Sequence, residues 1–577
     1  MVSGHIFWAV LYQPTACFAG NEDEQARNLY AGQIYSLRFL ASVFVLSSAQ
    51  MGSQRDGGSF IAGIGRLPLR DLTSKQLAKA QNEPSIIFGV AMSWVQRMPY
   101  LAGSILCGAG VLSILQYPGD KFIFSCFCIV IFTIGYSAIK SNQYSHFFLG
   151  ITWFLGFWAK YFFHCLTGDG YGEPVGAFNN SVASWDAVFY LIAIGGSGYL
   201  AGRLLLLPAT NALTERAMCQ TINVPRGWPK YRNLIWVGAA VALALVLIAN
   251  ANLGILVRGH VAKVILPWPL GGLFAWITDI GFALILSLFL AWDRESGKGV
   301  ERGFLALCIE GALFSLSTQS RGVFFFHTVP AIVTEIPIFV KTRALKSFAT
   351  LFVIWFLIGS AVPTISTFIR LFGSDAVPTT IQKTQERQSR TAPTPEVLWN
   401  QFVTMARLLV VDRWTGLEGA MASAAYSEKS FGLFKEAALQ RRTYGMVDVY
   451  TGKISQSGFT EERAKIYHYA TPSGPIAFLY FSGSYWFVFW GMALVAVLMS
   501  LTELAWRWLA REPLLIAMSG LYLAFIVMQI SGGIVQSATG LLAVTGFFFA
   551  IWCSWRLVRR PFRKPATRLA HIHDADI

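Results

Sequence analysis

Long apolar segments, each close to twenty residues, alternate with short polar connections over most of the chain. A helix needs about 20 mostly apolar residues to cross the hydrocarbon core of a membrane, because its backbone N–H and C=O groups must be paired internally there. The clearest segments predict membrane-spanning helices at residues 98–116, 122–140, 145–165, 185–207, 232–251, 268–292, 303–320, 322–341, 348–371, 478–503, 513–531 and 536–557. Two weaker segments, 4–20 and 32–52, bring the expected total to about 12–14 spans.

One polar stretch of roughly a hundred residues, from Leu371 to Ile476, interrupts this pattern. Its spacing of apolar residues predicts amphipathic helices over Glu396–Leu409 and Ala420–Leu439. We therefore expect an all-α, polytopic transmembrane bundle with one large helical loop packed on its face. The chain then divides into a weakly predicted N-terminal region, transmembrane helices, the large loop, C-terminal transmembrane helices and a basic tail, at residues 1–97, 98–371, 372–477, 478–557 and 558–577.

The distribution of charge predicts the orientation of the helices. The net charge is +15, yet the stretch Leu371–Ile476 holds twelve Lys/Arg and ten Asp/Glu, so most of the excess lies in short loops and at the C-terminus. Because cytoplasmic segments carry an excess of Lys and Arg, the tail is predicted to be cytoplasmic and the large loop periplasmic. With 54% hydrophobic and 13% charged residues, the basic balance indicates a membrane protein and no nucleic-acid partner.

Cysteine usage and the motifs that are missing limit the chemistry. The eight cysteines fall in or beside apolar segments, and the large loop contains none, so we expect neither a disulfide framework nor a cysteine-based metal site. The sequence has no Walker-type glycine loop and no His-Glu-x-x-His motif. We therefore expect no bound metal and no cofactor.

The first candidate site is the turn Ser317–Gly322, which joins two apolar segments so closely that Arg321 must lie at or just inside the membrane boundary. A guanidinium group is always charged and presents a rigid fork of donors that matches phosphate or carboxylate. Arg258 and His260 emerge on the same predicted side, and His327 follows Arg321 by about one and a half turns. The alternative is an arginine snorkelling at a helix end and a structural histidine.

The second candidate site lies in the large loop. Arg407 precedes a segment that contains Arg413, Trp414 and Glu418, in which an aromatic residue and glycines separate an arginine from a glutamate. This spacing suits a tight turn where the indole stacks against a sugar and the charged groups hold hydroxyls or a phosphate. A salt-bridged turn with a packed tryptophan is an equally good interpretation.

Further along the loop, Arg441, Arg442 and His468 form a third set. Near neutral pH a histidine is the side chain that most easily removes a proton from a hydroxyl nucleophile, so His468 is a candidate general base. For most of these residues individually, a solvated surface charge is the alternative.

Taken with the Ser-Arg-Gly turn around Arg321, many spans and one large periplasmic loop late in the chain resemble the bacterial O-antigen polymerases and ligases. These are polytopic envelope glycosyltransferases, and the resemblance covers about residues 230–560. It implies a GT-C-like fold in the bacterial inner membrane and metal-independent, inverting transfer of glycans carried on undecaprenyl diphosphate. It also implies membrane lipids, a chain-length regulator and a flippase as possible partners.

The resemblance also suggests roles for individual residues. Arg321 fits the arginine of the Ser-Arg-Gly turn, Arg413 is the choice for the loop arginine, and His468 would be the base, with Glu418 as the alternative. The remaining candidates would bind substrate: Arg258, His260, His327, Arg407, Trp414, Arg441 and Arg442. The expected function is polymerisation of lipid-linked oligosaccharide repeat units for an O-antigen, capsule or exopolysaccharide; polymerase and ligase are not distinguished.

Two other functions stay open. The acidic cluster Glu22-Asp23-Glu24 resembles the first outer loop of metal-assisted glycosyltransferases that use polyprenyl-phosphate sugars. A secondary transporter or lipid-linked sugar flippase is the non-enzymatic alternative, because ionisable residues within membrane spans are costly and tend to be functional. Those residues are Asp279, Glu310 and Glu335.

Overall fold

The computed structural model describes residues 103–104, 106–167, 171–218, 224–267, 269–341, 345–372, 411, 414–441, 446–466, 472–531 and 533–559. The chain divides into two compact units, Met1–Leu106 and Cys107–Ile577. Almost all of the described residues belong to the second unit. The predicted helix Glu396–Leu409, the weak spans before residue 98 and the acidic cluster at Glu22 lie outside the described residues.

Every regular element within the described residues is a helix, which confirms the all-α prediction. We number the helices in chain order. Two of them contain a π-helical segment, α3 at Phe154–Ala159 and α6 at Ile277–Gly281, and a third such segment, Tyr450–Ile454, lies in the large loop. The helices are α1 (Leu106–Gln116), α2 (Lys121–Ile139), α3 (144–167), α4 (Val182–Met218), α5 (Trp228–Leu253), α6 (Leu270–Glu295), α7 (Glu301–Ser317), α8 (Val323–Lys341), α9 (Leu345–Phe372), α10 (Leu417–Ala425), α11 (Phe431–Leu439), α12 (Glu461–Ala464), α13 (Pro475–Tyr480), α14 (Tyr485–Ala510), α15 (Pro513–Met528) and α16 (Ile534–Arg559).

Within the described residues, seven helices are long and apolar enough to cross a membrane, and three shorter apolar helices accompany them. The chain is therefore a multi-pass membrane protein. Within the described residues, each of the twelve clear predicted spans overlaps at least one helix, because an apolar segment bounded by polar turns leaves its backbone no other way to be paired in lipid. The total of about 12–14 crossings stays a prediction.

Two predicted helices are divided in the structure. The predicted span 478–503 is replaced by α13 and α14, because Gly483 adopts a positive φ of 77° and Ser484 caps α14 by accepting a hydrogen bond from Phe487 N. The predicted helix Ala420–Leu439 is likewise two helices, α10 and α11. The Ser430 side chain accepts a hydrogen bond from Leu433 N and so caps the N-terminus of α11.

The helices α4 and α14 pack closely against each other. A Cβ atom built on Gly198 would lie 2.1 Å from the carbonyl oxygen of Phe489, and one on Gly202 would lie 2.1 Å from that of Ala493. Glycines four residues apart therefore let the two backbones touch, as small residues commonly do between membrane helices.

The loops that were predicted to be periplasmic meet at one end of the helices, called here the large-loop end. Backbone hydrogen bonds join Gly176 N to Ser455 O at 3.0 Å and Val261 N to Ile466 O at 3.0 Å. The hydroxyl of Ser473 also donates to the carbonyl oxygen of Ile530 at 2.9 Å. These bonds tie three connecting segments to the large loop.

Other connecting loops lie at the other end of the helices, called the opposite end. There the carboxylate of Glu503 on α14 accepts hydrogen bonds from the backbone of Tyr144 and Ser145, at 2.9 and 2.8 Å, and so caps α3. Arg232 of α5 pairs with Asp293 of α6 at 2.6 Å. The division of the loops into two groups agrees with the charge pattern, and which group faces the periplasm stays a prediction.

Candidate functional site

At the large-loop end, Arg258 stands in the loop that follows α5. The carbonyl oxygen of Thr318 accepts a hydrogen bond from Arg258 N at 2.8 Å, so this loop lies on the turn that carries Arg321. The Arg258 guanidinium forms an ion pair with Asp279 in the π-helical segment of α6. The Arg258 side chain is 44% exposed and that of Asp279 is 23% exposed, so the cation remains accessible to an anionic ligand.

Local sequence explains why the two turns touch. Gly254 ends α5 with a φ of 58°, a left-handed conformation in which glycine carries no Cβ penalty. The buried Asn250 side chain accepts from Leu256 N at 2.8 Å and donates to the carbonyl oxygens of Leu256 and Ser317, both at 3.1 Å. Asn250 therefore links the end of α5 to the end of α7.

His327 and Glu310 lie directly beneath Asp279 and are fully buried. His327 Nδ1 lies 2.9 Å from Glu310 Oε2, and His327 Nε2 lies 3.0 Å from the backbone oxygen of Asp279. A carbonyl oxygen only accepts, so this contact requires the tautomer in which Nε2 carries a hydrogen. Since His327 has no exposed surface, it supports Asp279 from below and does not itself face a ligand.

Arg321 and His260 are half-buried within the same pair of turns. The turn before Arg321 is tight, since Gln319 adopts a φ of 53° and Ser320 N donates to Ser315 O at 2.8 Å. Val261, next to His260, bonds to Ile466 of the large loop. His468 itself lies outside the described residues.

A second polar cluster joins the large loop to α3. The ammonium group of Lys160 forms an ion pair with Glu418 and donates a hydrogen bond to the carbonyl oxygen of Trp414 at 2.9 Å. The two charged side chains are 0% and 4% exposed. Burial raises the pKa of Glu418, and the Lys160 ammonium opposes that rise.

Glycines allow the loop to lie against α3 at this place. A Cβ atom on Gly156, in the π-helical segment of α3, would lie 2.1 Å from the carbonyl oxygen of Thr415. Gly416 has a φ of 134° and packs on the ring of Phe157. Beside this contact is a small cavity of about 10 Å³, close to the volume that one water molecule needs, lined by Trp153, Thr415, Ser473 and Met528 among others.

The structure therefore divides the predicted site residues. Arg258, His260, Arg321 and His327 come together around the turns at the large-loop end, and Trp414 and Glu418 belong to the second cluster. Arg441 is exposed just after α11. Four further predicted residues lie outside the described residues: Arg407, Arg413, Arg442 and His468.

Three residues of these clusters were not among the predicted site residues, namely Lys160, Asp279 and Glu310. Asp279 and Glu310 were recognised as ionisable groups in predicted spans but were assigned to the transport alternative. Lys160 carried the same signal, because a lysine in an apolar span is costly and needs a partner. The sequence alone could not identify Glu418, 258 positions further along, as that partner.

No protein-family model, no curated protein and no solved structure matches this chain.

Proposed function

We propose that the chain is an integral-membrane glycosyltransferase that acts at the large-loop end on oligosaccharides carried by a lipid diphosphate. One observation carries this proposal: the loop of Arg258 is bonded to the turn of Arg321 at the ends of the membrane helices. An isoprenoid lipid in the bilayer presents its diphosphate at that depth. Two guanidinium groups carried by these bonded turns would supply the charge and the donor geometry that a diphosphate requires.

The proposed reaction is a single displacement at the anomeric carbon of the donor sugar. The acceptor hydroxyl oxygen forms the new glycosidic bond, the bond to the diphosphate oxygen breaks, and the lipid diphosphate leaves with the bonding electrons. The hydroxyl proton passes to a base. Arg258 and Arg321 would stabilise the negative charge that develops on the leaving group, and inversion at the anomeric carbon follows from the in-line geometry.

Glu418 and His468 are the two candidate bases. Glu418 is buried and already paired with Lys160, which makes it less able to reach an acceptor hydroxyl. We therefore propose His468 as the base. The segment before it is held at Ile466 against the loop of Arg258, which supports this choice. With a second oligosaccharide repeat unit as the acceptor, the product is a polymer.

The test uses purified protein in liposomes with a lipid-diphosphate-linked oligosaccharide as substrate. The variants Arg258→Ala and Arg321→Ala should each reduce the rate of chain growth about 100-fold, the typical cost of removing one preorganised electrostatic stabiliser. Lys453→Ala is the matched control, because Lys453 is an exposed cation of the large loop paired with Glu436. Polymer of normal length from both arginine variants would contradict the proposal.

A proton-coupled transporter or flippase is the second candidate, and the buried hydrogen-bonded pair of His327 and Glu310 favours it. Asp279 and Glu310 belong to one network at the large-loop end, whereas Glu335 belongs to another at the opposite end. Uptake of a labelled lipid-linked sugar into proteoliposomes without chain growth would favour transport. The metal-assisted alternative depends on Glu22-Asp23-Glu24, and loss of activity with a chelator would favour it.

A further inference from the structure

At the opposite end, one arginine lies between two buried carboxylates that come from different parts of the chain. Arg294 Nη1 lies 2.8 Å from Glu335 Oε1, and Arg294 Nη2 lies 2.6 Å from Glu512 Oε1. The glutamate side chains are each 2% exposed and the arginine is 19% exposed. This cluster joins α6, α8 and the start of α15.

The two carboxylates differ in what supports a negative charge. Glu512 is the N-cap of α15 and accepts a hydrogen bond from Leu514 N, so the positive end of a helix dipole favours its ionised form. Glu335 lies within α8 and does not cap a helix. Its second oxygen, Oε2, is buried and has no hydrogen-bond partner among the residues that the structure describes.

The charges around the cluster do not balance when both carboxylates are ionised. Of the described side chains, Arg294 and Glu512 act on Glu335 directly, and Glu295 of α6 adds a further negative charge nearby. The next layer holds Tyr144 with Glu503 and Arg507, an ion pair that is already neutral. One guanidinium with two ionised carboxylates leaves an uncompensated buried charge, which is strongly unfavourable.

We infer that Glu335 is a proton-binding site, and that the folded protein holds a proton on Glu335 Oε2 at neutral pH. Glu335 Oε1 still accepts the hydrogen bond from Arg294 in this state, while ionised Glu512 neutralises the guanidinium. Release of the proton places one negative charge between α6, α8 and α15. The site is at the other end of the helices from Arg258 and does not depend on the proposed glycosyl transfer.

The first test compares Glu335→Gln with its matched control Glu512→Gln in the purified full-length protein in detergent. Thermal unfolding is followed from about pH 6 to about pH 9, on either side of neutrality. Glutamine mimics a protonated carboxyl group, so Glu335→Gln should keep the wild-type Tm at neutral pH. Glu512→Gln should lower it, because it removes the ionised partner of Arg294. Equal losses in both variants would overturn the inference.

The same data show the sign of the pH dependence. The folded wild-type protein holds a proton that the unfolded chain releases, so its stability should fall as the pH rises and that proton is lost. Glu335→Gln should reduce this alkaline loss of stability. A wild-type protein whose alkaline loss is unchanged by the substitution would contradict the proton site.

Infrared spectroscopy gives a readout that does not require the variant to fold. Wild-type protein should show a carboxylic-acid C=O band at neutral pH that disappears at alkaline pH. The band should be absent from Glu335→Gln, and it should weaken in Glu512→Gln because Glu335 is then the remaining carboxylate partner of Arg294 and its ionised form is favoured. Absence of the band from the wild type would overturn the inference. A Tm that rises with sodium at constant ionic strength, and only while Glu335 is present, would identify a metal cation as the occupant and would also overturn it.

Discussion

Lys160 and Glu418 form an ion pair in which neither side chain is more than 4% exposed. Lys160 belongs to α3, which coincides with the predicted span 145–165, and Glu418 belongs to the first described helix of the large loop. The same ammonium group also binds the carbonyl oxygen of Trp414. The large loop is therefore anchored within the helix bundle by a charge that the membrane helix supplies.

Removing one partner of this buried pair should be costly. We expect Lys160→Met to lower the free energy of unfolding by about 3–5 kcal/mol, because it leaves an uncompensated buried carboxylate. The double variant Lys160→Met with Glu418→Gln should recover much of the loss. Denaturant unfolding in detergent measures both values. A single variant as stable as the wild type would show that the pair is not buried in solution.

The same variants should differ in their dependence on pH. Burial raises the pKa of Glu418, and Lys160→Met removes the group that opposes the rise. A raised folded-state pKa gives stability that is present at acidic pH and is lost as the pH increases. The deficit of Lys160→Met should therefore grow from acidic to alkaline pH, and Glu418→Gln in the same chain should remove that trend. Parallel profiles for all three proteins would contradict this reasoning.

Asp279 should compete with an anionic ligand for Arg258. Asp279→Asn frees the guanidinium, and we expect it to increase the affinity for inorganic diphosphate about five-fold, since a partly exposed ion pair is worth up to about 1 kcal/mol. Arg258→Ala should weaken the binding. Titration calorimetry measures both, with Glu436→Gln as the control because Glu436 pairs with Lys453 on the exposed surface. Weaker binding by Asp279→Asn would mean that the pair is needed to build the site.

The contact between α4 and α14 should tolerate no side chain at Gly202. Gly202→Ala places a Cβ atom 2.1 Å from the Ala493 carbonyl oxygen, so the helices must move apart. We expect a loss of about 1–3 kcal/mol in the free energy of unfolding. Gly238 in α5 is the matched control, because nothing lies within 4 Å of its Cβ position and Gly238→Ala should be neutral or slightly stabilising. A similar loss in both variants would exclude close packing as the cause.

The orientation of the helices can be measured with single cysteines in a chain without its native cysteines. Glu436 is at the large-loop end, and Lys298 is an exposed residue at the opposite end. A membrane-impermeant maleimide should label Glu436→Cys in spheroplasts and should label Lys298→Cys only after the membrane is opened. The reverse pattern would place the large loop in the cytoplasm.

The positions of the membrane helices were largely predictable, because each depends on a local property of the chain. The predicted segment 122–140 and the helix Lys121–Ile139 differ by one residue at each end. The large loop was less predictable. Its apolar spacing suggested one helix over Ala420–Leu439, and the break came from a serine cap at Ser430 whose hydrogen bond competes with helix continuation.

In the candidate site, too, local features were predictable from the sequence and contacts between distant residues were not. The sequence indicated that Arg321 would lie at the membrane boundary, since a short polar turn between apolar segments leaves no other position. It also indicated that Asp279 and Glu310 needed partners. It did not show that Arg258 pairs with Asp279 or that His327 pairs with Glu310, because these pairs depend on how the helices rotate and pack.

By itself, then, the sequence determined which segments are apolar enough for lipid and which face water. It also determined the helical state that lipid imposes and the grouping of loops by charge. These follow from backbone pairing and residue hydrophobicity, which act over neighbouring positions. Only the tertiary structure decided which charges meet, as it did for Lys160 with Glu418 and for Arg294 with Glu335 and Glu512. A buried charge requires a partner, and which residue provides it depends on packing between helices that are far apart in the chain.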